Sequence, residues 1–140
     1  MQGRVFIDVA RRNLSGGTES FWRAAAGRAY YAIMLEARDV LARWGLQPPP
    51  RNNIHYFVQS RFNVGPDPGV LTIGATLNRL KGLRTGADYD LSALPKFRTD
   101  VAAIDAVQKA EEAIQLLDVL IADLPRQKSV AADMRKAYGP

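Results

Sequence analysis

One histidine, a set of arginines and a few tyrosines carry most of the chemistry this chain can do. Without cysteine it cannot build a disulfide, a thiolate zinc site, an iron–sulfur cluster or a cysteine nucleophile, and one His is too few for an all-protein zinc site. It also lacks a Gly-rich phosphate loop, a paired-His metal motif and a Ser nucleophile elbow, so no metal and no cofactor are expected. The polar candidates are Arg28, Tyr31, His55, Arg84, Asp88 and Tyr89. Histidine is the side chain poised to titrate near neutrality. His55 falls in the first turn of a short helix, where amide dipoles disfavour the imidazolium and predict a neutral ring. A neutral imidazole can act as a base towards a 2′-hydroxyl; on a face with Val58 and Phe62 it can equally be half-buried packing. Arg84 can clamp a phosphate or stabilise a phosphorane-like transition state, or it can form a structural ion pair with Asp88 about one helical turn on. Asp88 and Asp90 share a turn, where carboxylates are more often caps and arginine partners than metal ligands. Tyr30, Tyr31 and Tyr89 can stack on bases, although tyrosines at helical spacing commonly pack in a core.

These residues must be positioned by helices, because no alternating strand pattern appears anywhere. The organising stretch is Trp22–Leu41, with Ala26, Tyr30, Ile33, Ala37, Val40 and Trp44 on one face. Its alanine block and Gly27 are expected to let a neighbouring helix approach, and Arg28, one turn before Tyr31, can touch that ring. A helix over Gln2–Leu14 precedes it and ends at Ser15-Gly16-Gly17, after which Thr18 can cap. After the stiff Gln47–Pro50 connector, Asn52 or Asn53 is expected to cap a third helix reaching Phe62. A fourth carries the row Val70, Ile73, Leu77 and Leu80, with Arg84 next in line and Gly86 placed to end it. The longest pattern runs Ala103, Val107, Ala110, Ile114, Leu117, Ile121 and Leu124, a heptad-like stripe that can serve a core, a dimer interface or both, with Pro125 marking its end. Residues 129–138 suggest a short frayed helix. Asp39–Arg43 and Asp105–Lys109 are spaced for helical ion pairs. The sum is an all-α antiparallel bundle of four to five helices in one domain spanning residues 1–140, with 126–140 as a basic C-terminal extension.

The net charge of +5 and isoelectric point near 9.8 favour anionic partners such as nucleic acid. At 24% charged residues, spread along the chain, the same excess also suits ordinary solubility. No apolar run reaches membrane-spanning length and no signal-peptide pattern opens the chain, which points to the cytoplasm and to no membrane partner.

RAYYA at Arg28–Ala32, IHYFVQSRF at Ile54–Phe62 and LNRLKGLRTGADYD at Leu77–Asp90 come in the order seen in HEPN-domain proteins. Over roughly Phe6 to Leu124 the chain resembles the small prokaryotic members. The resemblance implies a helical bundle that dimerises, in RNA metabolism or toxin–antitoxin defence, often beside a minimal nucleotidyltransferase. Active members are metal-independent ribonucleases that use an Arg followed four to six residues later by a His. Here Arg84 takes the Arg position and Tyr89 stands where the His would be, and tyrosine is a poor base at neutral pH.

Two readings result. In the first, a homodimer binds RNA or a nucleotide through a groove lined by Arg28, Tyr31, His55, Arg84 and Tyr89. If it acts as an endoribonuclease, His55 is the base, Arg84 the phosphate clamp and Tyr89 an orienting hydroxyl. In the second, a non-catalytic module locks its helices with a buried network of Arg28, Asp88 and Tyr89 and docks a nucleotidyltransferase.

Overall fold

The apolar rows become six α-helices in the computed structural model, which describes residues 1–51 and 53–139. They are α1 (Val5–Leu14), α2 (Glu19–Arg43), α3 (Ile54–Arg61), α4 (Pro68–Tyr89), α5 (Val101–Ala122) and α6 (Leu124–Tyr138), with a 3-10 turn at Pro95–Phe97. The fold is all-α among the described residues, with one helix more than the four to five expected. None of these helices is long and apolar enough to cross a membrane.

α2 is the axis, and α1, α4 and α5 lie against it. Its row of Ala26, Tyr30, Ile33, Ala37 and Val40 is buried, and Ala25, Ala29 and Ala32 keep the flanking surface low. Onto it pack Val70, Ile73, Leu77 and Leu80 of α4, and Ala103, Val107, Ala110, Ile114 and Leu117 of α5. Each fully buried Leu or Ile contributes ~2 kcal/mol by removing apolar surface from water. The expected stripe is therefore core over most of its length on α5, and its last member, Leu124, falls in α6 and stands out into solvent. The two tryptophans sit at opposite ends of α2. Trp22 packs with Ala26, Ala87 and Phe97, its indole N–H buried without a partner, whereas Trp44 donates to Gln127 Oε1 at 3.0 Å.

Close approach depends on a different glycine from the one expected. A Cβ on Gly27 would make ordinary contacts, 3.6 Å to Asp88 Oδ1 and 3.8 Å to Arg84 Cγ, so the α2–α4 approach does not require it. A Cβ on Gly74 would fall 2.2 Å from the Phe62 carbonyl oxygen, so the end of α3 lies against α4 only because that side chain is absent.

Several helix ends differ from expectation. Asn53 caps α3 as anticipated, accepting from the backbone N–H groups of His55 at 3.0 Å and Tyr56 at 3.3 Å; the other candidate, Asn52, lies outside the described residues. Thr18 occupies the N-cap of α2, but its hydroxyl pairs with Ser20 rather than with the backbone. Gly86 does not end α4, which continues to Tyr89. Gly86 lacks the positive φ of a terminating glycine, and Arg23 of α2 collects the carbonyls of Gly86, Ala87 and Asp90. Pro125 starts α6 instead of simply ending α5: Asp123 caps the new helix through the Arg126 N–H, and proline suits a first turn because its missing donor has no partner there. Residues 126–138 form most of that 15-residue helix, with Val130, Ala131 and Met134 buried. The two spaced ion pairs also re-partner. Asp39 accepts from Arg38, Asp105 pairs with Arg79 of α4 at 2.6 Å, and Lys109 turns to Glu112.

Candidate functional site

α2, α3 and α4 bring Tyr30, Tyr31, His55 and Arg84 into one cluster. Asn53 starts α3 so that His55 lies in its first turn, facing α2. There His55 Nδ1 lies 2.6 Å from the hydroxyl of Tyr30, whose side chain is only 1% exposed. Tyr31 and the imidazole meet edge to face, with centroids 6.2 Å apart. From the last turns of α4, the Arg84 guanidinium lies over Tyr31 at 5.1 Å and beside Tyr89 at 5.8 Å, within range of cation–π attraction. Tyr31 is thus the ring that the imidazole and the guanidinium both approach.

Arg84 and Asp88 do form the alternative ion pair. Arg84 Nε donates to Asp88 Oδ2 at 3.1 Å, one turn along α4. That bond uses one of the five N–H donors of a guanidinium. The Arg84 side chain is 15% exposed and its terminal nitrogens are not buried orphans, so their N–H groups reach solvent. The cluster is cationic on its α4 side, because Lys81 as well as Arg84 acts on His55. Burial first, then Arg84 and Lys81, hold the imidazole pKa below the ordinary histidine value of 6.5. His55 is therefore neutral at pH 7, as the helix-dipole argument predicts, but from desolvation and cationic neighbours. Burial pushes the Tyr30 hydroxyl up to about 12, with Arg84 opposing and Tyr31 adding to the rise. The phenol stays protonated at any ordinary pH.

The structure does not gather every residue of the expected groove. Arg28 is exposed and places its guanidinium over Phe6 of α1 at 5.4 Å, away from Tyr31. Tyr89 is 73% exposed and flanks Arg84 from outside. The buried network of Arg28, Asp88 and Tyr89 is not formed, since all three are exposed and the Asp88 carboxylate accepts from Arg84. Surface clefts of about 690 Å³ and 460 Å³ are lined instead by α4 and α5 residues such as Asn78, Leu83 and Asp105, or Thr76, Leu116 and Val119.

Two contributors were hidden in the sequence. Tyr30 reads as core, and nothing local shows that its hydroxyl meets His55, 25 residues on. Arg23 pairs with Glu19 at 2.9 Å, but its side chain is only 10% exposed and also donates to Ser92 O. Its guanidinium lies 5.1 Å from the Phe97 ring and fixes the stretch that carries Asp88 and Tyr89. The i,i+4 spacing from Glu19 was the one available signal. Comparison with known proteins finds no match to this chain: no family model, no curated protein and no solved structure.

Proposed function

We propose that this chain is a HEPN-like RNA- or nucleotide-binding protein that holds a phosphate with Arg84 and His55. The observation that carries the reading is that these two residues, from different helices, both lie beside the ring of Tyr31. Arg84 keeps most of its donors for a ligand, and the net charge of +5 favours an anion. Tyr89, exposed beside Arg84, offers a face for a base next to the phosphate. The proposal extends to a homodimer, for which exposed Val101, Ile104 and Val119 of α5 supply apolar surface, and to a metal-independent endoribonuclease of the toxin–antitoxin kind. The test is binding and cleavage of a single-stranded and a hairpin RNA at low and moderate salt. Arg84→Ala is expected to weaken binding about tenfold or more while changing stability by less than ~1 kcal/mol, because its carboxylate partner is solvated. Equal binding by wild type, Arg84→Ala and His55→Ala rejects the site.

The Arg84–Asp88 pair favours a second reading, the non-catalytic module that partners a nucleotidyltransferase. In that reading Arg84→Ala leaves RNA affinity unchanged and loosens the end of α4, which amide exchange over residues 84–89 would register.

A further inference from the structure

The Tyr30–His55 hydrogen bond decides which nitrogen of the imidazole carries its proton. Building on the phosphate-binding reading, we propose that Tyr30 is a positioning residue whose buried phenol donates to Nδ1 and fixes the proton of His55 on Nε2, so that His55, like Arg84, presents only donors to the ligand.

A phenol has one proton to give, and a neutral imidazole has one donor and one acceptor nitrogen. Tyr30 is buried, and among the described residues its hydroxyl is paired with His55 Nδ1 alone, at 2.6 Å. If Nδ1 carried the proton, it would donate to the phenolic oxygen and leave the phenolic O–H in the core without an acceptor, the costlier arrangement. If the phenol donates, both groups are satisfied and the N–H falls on Nε2. The groups around His55 act in the same direction. Tyr30 and Tyr31 face it from α2, and Arg84 and Lys81 oppose a second proton from α4. Asp88 faces Arg84 rather than the imidazole.

The chemistry follows from the proton count. With Nδ1 occupied and Nε2 protonated, neutral His55 has no free lone pair for a 2′-hydroxyl proton. It can donate a hydrogen bond through Nε2–H, as the free N–H groups of Arg84 can. A donor-only pair selects a ligand whose facing atoms are all acceptors, which a phosphate ester supplies and a ligand offering N–H or O–H does not. For His55 to serve as a base, the Tyr30 bond must first break.

The chain has a single histidine, so imidazole ¹H–¹⁵N correlation spectra of the ¹⁵N-labelled protein contain one set of signals to read. At pH ~7.5, above the ordinary histidine range, wild type is expected to show a bare Nδ1 and a protonated Nε2. Tyr30→Phe is expected to give a mixture of tautomers and a His55 pKa moved up towards the ordinary value. A wild-type spectrum with the proton on Nδ1 overturns the assignment and does not depend on the variant folding. Adding inorganic phosphate then tests the underlying reading separately: it should raise the pKa of His55 in wild type and not in Arg84→Gln. The expected tautomer without any phosphate response keeps Tyr30 as the positioning residue and rejects the phosphate site.

Discussion

Arg23 shows how far one side chain can reach and why its reach is invisible along the chain. Its guanidinium ties Glu19, one turn before it, to the carbonyls of Gly86, Ala87, Asp90 and Ser92, more than sixty residues later. A backbone carbonyl has no residue-type signature, so a sequence can display the arginine but not these acceptors. The reverse holds for Arg84 and Asp88, whose partnership lies within one turn and was legible as an option. Arg23→Met is expected to cost about 2–4 kcal/mol, because it strips charge-assisted bonds from buried and part-buried carbonyls. Urea unfolding would show this as a lower midpoint at unchanged slope.

At the scale of elements, the buried faces were legible and the ends were not. Periodicity is a local property, and the rows on α2, α4 and α5 are buried largely as their spacing predicts. Helix ends are settled by whatever satisfies the last carbonyls or first amides, and here that is often a residue from another element. Gly86 reads as a stop because the Arg23 contacts lie more than sixty residues away, and Pro125 reads as one because the cap that starts the next helix is Asp123, two residues before it. Close packing behaves likewise. Gly74→Ala is expected to destabilise by about 1–3 kcal/mol, since its Cβ would meet a carbonyl of the α3 end that cannot rotate away. Gly27→Ala, with only ordinary contacts, is expected to be neutral or to stabilise by up to about 1 kcal/mol through improved helix propensity. Thermal unfolding of the two variants side by side checks both, and equal loss in both would contradict this account of the packing.

Across the whole molecule, α6 packs where α2 ends at Trp44 and α4 begins at Asp67, and polar ties hold it there. Arg126 grips Asp67, the N-cap of α4, with bonds of 2.7 and 2.8 Å, and Arg135 donates to the Trp44 carbonyl. The Arg126 guanidinium, helped by the Val70 amide, holds the Asp67 carboxyl down at about 2 against its ordinary 3.8. Because the folded value lies below the unfolded one, the stabilisation is fully present above pH ~4 and is lost as pH falls towards ~2. Allowing for partial exposure of the pair, the amount is about 1–2 kcal/mol. Wild type should therefore exceed Asp67→Asn in stability by that margin at pH ~6, and the two should converge near pH ~2; a gap that persists in acid would assign the effect to something other than this carboxylate. The placement of the tryptophans along α2 has a practical consequence. Twenty-two positions of helix at ~1.5 Å each set Trp22 and Trp44 roughly 33 Å apart, one indole half-buried against Ala87 and Phe97 near the α4 tail and the other bonded to Gln127 of α6. The chain thus carries two native fluorophores in contrasting surroundings. Replacing either one with phenylalanine leaves an optical probe that watches the arginine-stapled pole or the α6 pole of the molecule on its own.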